Sequence, residues 1–215
     1  KRNIVKEDDI LGNSLFHTDG LFNKLPTVAV ILLLYFKQFI LPYPLVFYYG
    51  YNHIPVRSWI DFWFFLAVVF FLGLKYVLFR YRKNHPELWF GAVFFIFSIS
   101  IYLHISRKLS DTMADRFMFM PSLGLAIMFV GLIGLILKFP WKSISDRKNK
   151  TVNSTKPLNA LWGIAIIFVL VFTVLSYQRT GVWKDDKTLV FTDMKNLENC
   201  SRVHYYYANI LWNDI

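Results

Sequence analysis

The 215-residue chain is 55% hydrophobic and 19% aromatic, with a formal net charge of +10 and a single cysteine. One cysteine excludes an internal disulfide framework and a thiolate metal cluster, and the scattered histidines (17, 53, 85, 104 and 204) offer no ligand pair on one helix, so no metal is assigned. Lysine and arginine fall between apolar runs, which is the pattern of topology determinants, and no basic face is left to take nucleic acid.

Five apolar runs follow in chain order: 26–41, 59–79, 88–105, 117–139 and 161–177. A helix needs about 20 mainly apolar residues to cross ~30 Å of hydrocarbon. The second and fourth runs reach that length comfortably, and the third and fifth come near it. The pattern predicts an all-α integral membrane protein, a multi-span helical bundle. The first run carries Lys37 and Gln38 and ends at Pro42 and Pro44, so it reads either as a span or as a re-entrant or interfacial helix. Residues 1–178 form the expected membrane domain and 179–215 an external helical tail. The chain opens on Lys1 and stops inside a helix-like pattern, so we read it as the middle or later part of a longer protein.

Basic residues orient the bundle. The 1–24 segment, the turn with Arg80, Arg82 and Lys83, and the linker with Lys138, Lys142, Arg147, Lys148, Lys150 and Lys156 are expected in the cytoplasm. The tail is then periplasmic or lumenal, for a bacterial inner membrane or an endoplasmic reticulum respectively. If the first run is re-entrant, residues 1–24 move outside and the last four spans keep their orientation.

Two outer loops carry the polar chemistry. The 42–58 loop holds four tyrosines with Asn52 and His53 beside Trp59 and Trp63. It reads as an interfacial aromatic belt or as a wall that stacks on a sugar or lipid head group. Pro42, Pro44 and Pro55 fix its backbone. The 106–116 loop ends in Asp115 and Arg116. Neighbours at i and i+1 point apart, so these two need not pair with each other. Arg116 is either a snorkelling interfacial residue or a guanidinium held at phosphate depth, where its planar fork takes two oxygens. Asp61 and Lys75 lie near opposite ends of the second run, and Gly124, Gly131 and Gly134 in the fourth favour close helix packing. In the tail, a helix over 202–212 places His204, Tyr207, Ala208 and Leu211 at helical spacing, similar to the first helix of a tetratricopeptide unit.

Four pieces in order resemble the transmembrane, tetratricopeptide-containing O-mannosyltransferase family and its bacterial relatives. They are Leu41-Pro-Tyr-Pro-Leu…Tyr49-Gly-Tyr-Asn-His-Ile-Pro55, Ala114-Asp-Arg-Phe-Met-Phe-Met-Pro-Ser-Leu-Gly124, Arg179…Trp183…Asp186-Lys-Thr-Leu189, and Val203-His-Tyr-Tyr-Tyr-Ala208. Tyr48 stands where that family often has aspartate, and Asp115 where it has glutamate. The resemblance implies a GT-C glycosyltransferase that takes a polyprenyl-phosphate-linked sugar, with mannose as the family's sugar, and transfers it to Ser or Thr of an acceptor protein. It assigns the catalytic carboxylate to a loop upstream of Lys1, so no catalytic residue is named within the chain. By the same resemblance Arg116 contacts the donor phosphate, and Tyr49, Asn52, His53 and Asp115 form the substrate loops. Membrane lipid, the lipid-linked donor and an acceptor protein, met through the repeats, are the expected partners, and no cofactor is assigned. The alternative is a non-catalytic membrane anchor that presents repeats to other proteins.

Overall fold

The computed structural model describes residues 13–18, 20–50, 53–103, 111–137 and 156–213. Among these, every regular element is helical: a 3-10 turn at Ser14–His17, then α1 (Leu21–Ile40), α2 (Phe62–Tyr81), α3 (Pro86–Ser100), a 3-10 turn at Asp115–Met118, α4 (Pro121–Ile136), α5 (Lys156–Val182), α6 (Asp186–Met194) and α7 (Ser201–Asn213). Extended pairing is confined to one bridge, between Tyr49 and Met113. The chain is an all-α membrane bundle.

Helix boundaries follow local chemistry. Asp61 caps α2, accepting the Trp63 N–H at 2.8 Å and pairing with Arg57 at 3.1 Å, so this carboxylate near the end of a span has a structural role. Pro86 and Pro121 occupy the first helical positions of α3 and α4, where a missing N–H costs nothing. The same proline sets a limit on the fourth run. Residues 115–118 form a 3-10 turn ahead of it, and the helix that follows has 16 residues. With α3 at 15 residues, these two helices fall short of a full crossing, where the apolar runs had indicated spans.

Among the described residues, three helices are long and apolar enough to cross a membrane: Leu21–Ile40, Phe62–Tyr81 and Trp162–Val182 within α5. The α2 and α5 windows are only 11% and 0% buried within the protein, and they expose Phe62, Phe65, Leu72, Ile166, Val169 and Leu170. Apolar surface on that scale is stable only against lipid. At 27 residues α5 is about 40 Å long, longer than the hydrocarbon, and Arg179 lies in its last turn.

The α1 window differs, being 44% buried by the protein itself. Phe22 stacks on Trp59 at 4.4 Å and Thr27 Oγ1 accepts the Arg57 N–H, both at the entrance to α2. Further along, Phe36 meets Phe70, Phe71 and Phe95 edge-on at 5.1 to 5.7 Å. Helix α1 therefore advances alongside α2 in the same direction, and the 41–58 segment returns the chain to the start of α2.

The tightest helix contact joins α3 to α4. A Cβ on Gly91 would lie 2.6 Å from the Gly124 carbonyl, and one on Gly124 would lie 2.7 Å from the Gly91 carbonyl and from Phe95 N. The helix backbones touch there. A Cβ on Gly131 would meet Leu88 at 2.7 Å. The glycines of the fourth run thus do pack a neighbour closely, and Gly91 is the partner that sequence reading missed.

Candidate functional site

Three segments distant in sequence meet at one end of the bundle: 42–57, 111–116 and the α5–α7 tail. The Tyr49–Met113 bridge joins the two loops. Tyr35 of α1, fully buried, fastens them from below, its hydroxyl accepting the Ala114 N–H at 3.3 Å. From the other side a buried polar knot holds the loops to the segment before α1. Thr112 Oγ1 accepts the Ser14 N–H at 3.1 Å, and Ser14 Oγ donates to the Ile54 carbonyl at 2.7 Å. Loops pinned by buried hydrogen bonds keep a fixed shape.

The tail closes the third side. Arg179 at the end of α5 forms a bidentate pair with Asp193 of α6, at 2.6 and 2.7 Å. Asp193 is almost fully buried and also accepts the Phe47 N–H at 2.7 Å. One carboxylate thus ties the tail to both α5 and the 42–50 loop. Tyr48 receives Arg202 of α7, which sits 5.4 Å over its ring and donates to its hydroxyl at 3.4 Å. At this position a tyrosine, standing where the resembled family has aspartate, engages a cation of the tail.

Between these segments lies a cavity of about 280 Å³ lined by Tyr48, Tyr49, Asp111, Asp115, Arg116 and Trp183, among others. Gln38 Nε2 donates to Asp115 and, at 3.2 Å, to the Tyr49 hydroxyl, which itself donates to Asp115. Asp115 is held in a closed triangle of two donors. Burial raises its pKa, opposed by the hydrogen bonds from Gln38 and Tyr49. Burial likewise raises the pKa of Tyr49, which stays protonated and a donor. Arg116 pairs with Asp111, and its side chain is 69% exposed, leaving part of the guanidinium fork open. As their adjacency implied, Asp115 and Arg116 point to different partners.

Of the residues singled out in the sequence, the structure brings Tyr49, Asp115 and Arg116 into this one cavity. His53 lies edge-on to Tyr49 at 5.5 Å but lines a different cleft. Asn52 lies outside the described residues. Sequence reasoning missed Asp111, Asp193, and the roles of Gln38 and Arg202. Gln38 alone had a signal, as an amide within an apolar run. Among the described residues, no group of three or more His, Cys, Asp or Glu is placed to hold a metal ion.

The upward shift of the Asp115 pKa has a consequence for stability. Because burial raises its pKa in the folded state above the ordinary 3.8, the stabilisation it gives is present at low pH and lost as pH rises through the raised value. Asp115→Asn has no proton to lose and is expected to flatten this part of the profile. Unfolding midpoints of both proteins between about pH 4 and pH 7 check it; parallel profiles would contradict the assignment.

Comparison with known proteins gives a distant and partial likeness. The chain is similar to protein O-mannosyl-transferase TMTC1. It is 25% identical to the human protein over 148 residues, which is 68% of this chain and 15% of that protein. The mouse protein of the same name is 26% identical over 148 residues, covering 14% of its length. The chain thus spans about one seventh of the relatives it matches. No family model matches it. No solved structure matches it either.

Proposed function

We propose that this chain is part of a membrane glycosyltransferase that moves a sugar from a polyprenyl-phosphate donor to a Ser or Thr hydroxyl of an acceptor protein. The observation that carries the reading is the convergence of Tyr49, Asp115 and Arg116 in one cavity, within a membrane chain similar to a protein O-mannosyl-transferase. In such a reaction the acceptor hydroxyl gives its proton to a carboxylate base, its oxygen attacks the anomeric carbon, and the bond from that carbon to the lipid phosphate breaks as the phosphate leaves. Its charge must be met by fixed donors. Arg116 supplies the guanidinium, with Asp111 restraining its swing. Tyr49, which keeps its proton, and the Asp115 carboxyl offer hydrogen-bonding groups to the sugar. The tail lies on the periplasmic or lumenal side in this reading, with the basic turn at 80–83 in the cytoplasm.

Arg116→Ala in the full-length protein is expected to lower transfer about ten- to hundredfold, the loss of one charge-assisted hydrogen bond of roughly 1.5–3 kcal/mol. Membrane insertion should be unchanged, because the side chain is largely exposed. Unaltered transfer would reject Arg116 as the donor contact. Absence of any transfer by the unmutated full-length protein would favour the second reading, a non-catalytic anchor. That reading draws on α7, which packs on α6 and carries the tetratricopeptide-like spacing.

A further inference from the structure

On the far side of the Tyr49–Met113 bridge lies a second cleft, of about 260 Å³, which shares those two residues with the first and is lined by neither Asp115 nor Arg116. Val30, Leu34, Leu41 and Trp63 give it an apolar wall, while Lys37, His53 and Arg57 line it with nitrogen. No carboxylate is among its lining residues. Burial lowers the pKa of His53, so its ring is neutral at pH 7 and the positive charge comes from Lys37 and Arg57. Arg57 gives Nη1 to Asp61 at 3.1 Å, but its Nε is enclosed and has no partner among the described residues. Lys37 is exposed in the last turn of α1 and makes no ion pair among the described residues. Gln38 lines the same cleft; both its amide hydrogens are engaged, whereas its Oε1 is enclosed and unpartnered.

Two cationic side chains and an amide in one apolar-walled cleft, with no carboxylate among its lining, define a ligand. It has anionic oxygens for Arg57 and Lys37, a hydroxyl for Gln38, and an apolar stem for Trp63 and the leucines. Free phosphate supplies the first alone. We propose that this cleft binds the head group of an anionic, hydroxyl-bearing phospholipid, with its phosphodiester on Lys37 and Arg57 and its hydroxyl on Gln38. The acyl chains leave over the exposed apolar face of α2, where Phe62 and Phe65 face outward. An aromatic girdle of Trp59 and Trp63 stands at the depth such a head group occupies. The site does not depend on the transferase reading and would exist in a non-catalytic anchor as well.

The test is lipid retention by the full-length protein in mild detergent, measured by native mass spectrometry with phosphatidylglycerol and chain-matched phosphatidylcholine. Phosphatidylglycerol is expected to be retained at least about fivefold more, and Lys37→Gln and Arg57→Gln should each remove most of that preference. Lys75→Gln, on α2 outside the cleft, should leave it intact. Glycerol 1-phosphate, which lacks the apolar stem, should give no shift in the unfolding midpoint at concentrations where the lipid does. Equal retention of the two lipids would overturn the proposal. So would an effect of Lys75→Gln as large as that of Lys37→Gln, which would mean diffuse attraction. A shift with glycerol 1-phosphate matching that of the lipid would make the cleft a free-phosphate site and overturn the lipid assignment.

Discussion

Asp193→Ala is expected to destabilise the protein by about 3–5 kcal/mol, the usual cost of removing one partner from a buried ion pair. The reason is that Asp193 satisfies three donors at once, two on Arg179 and the Phe47 N–H, in a place nearly closed to water. Truncation leaves a cation and a backbone N–H without acceptors. Asp193→Asn should cost less, since its one carbonyl oxygen still serves one of the donors. The tail should detach from the 42–50 loop before the bundle itself unfolds, because α2–α4 make none of these bonds. Limited proteolysis in detergent, read beside the unfolding midpoint, checks both parts. Faster cutting within α6 and α7 is the expected first sign, at conditions milder than those that unfold the bundle, together with a lowered unfolding midpoint. A loss below about 1 kcal/mol would place Asp193 among screened surface pairs instead.

Gly124→Ala is expected to cost about 3 kcal/mol, at the upper end of the range for overpacking. A new Cβ would stand 2.7 Å from the Gly91 carbonyl and from Phe95 N, which are backbone atoms with no rotamer to yield. The helices would have to separate, loosening the contact that sets α4 and hence the loop carrying Asp115 and Arg116. Gly73 of α2 is the control: nothing lies within 4 Å of its would-be Cβ, so Gly73→Ala should gain up to about 1 kcal/mol from helix propensity. Gly91→Ala removes the same close approach, so the double variant should fall short of the sum of the single ones. Unfolding in mixed micelles measures all four. Equal stability of the Gly124 and Gly73 variants would show that the α3–α4 backbone contact is not tight.

Much of the helical scaffold was legible in the sequence because membrane helices announce themselves locally. An apolar run needs no distant partner to be recognised, and Asp61, Pro86 and Pro121 mark helix starts in their own neighbourhoods. Run length was the weaker guide. The 117–139 run is apolar throughout, yet its first residues turn as a 3-10 segment before Pro121. The site was legible in part: ordered motifs pointed to Tyr49, Asp115 and Arg116, which do share a cavity. What holds them was not legible. Asp193 reaches Phe47 across 146 positions and Thr112 reaches Ser14 across 98, and no periodicity or spacing rule encodes such pairings. The glycines illustrate the same divide. Gly124 stood out within its helix, but only the fold shows Gly91 opposite it.

In the transfer we propose, the end of the bundle where the two loops meet the tail faces away from the cytoplasm, with the 80–83 turn on the other side. Cys200 is buried and burial raises its thiol pKa, so the native thiol is a poor reporter and contributes little background. Lys195→Cys after α6 and Lys83→Cys after α2 place exposed thiols at the two locations. A membrane-impermeant maleimide applied from the periplasmic or lumenal side should label the first variant and not the second, with both labelled once the membrane is opened. Labelling of the Lys195 variant only from the cytosol would put the cavity in the wrong compartment for a lipid-linked sugar donor and contradict the account.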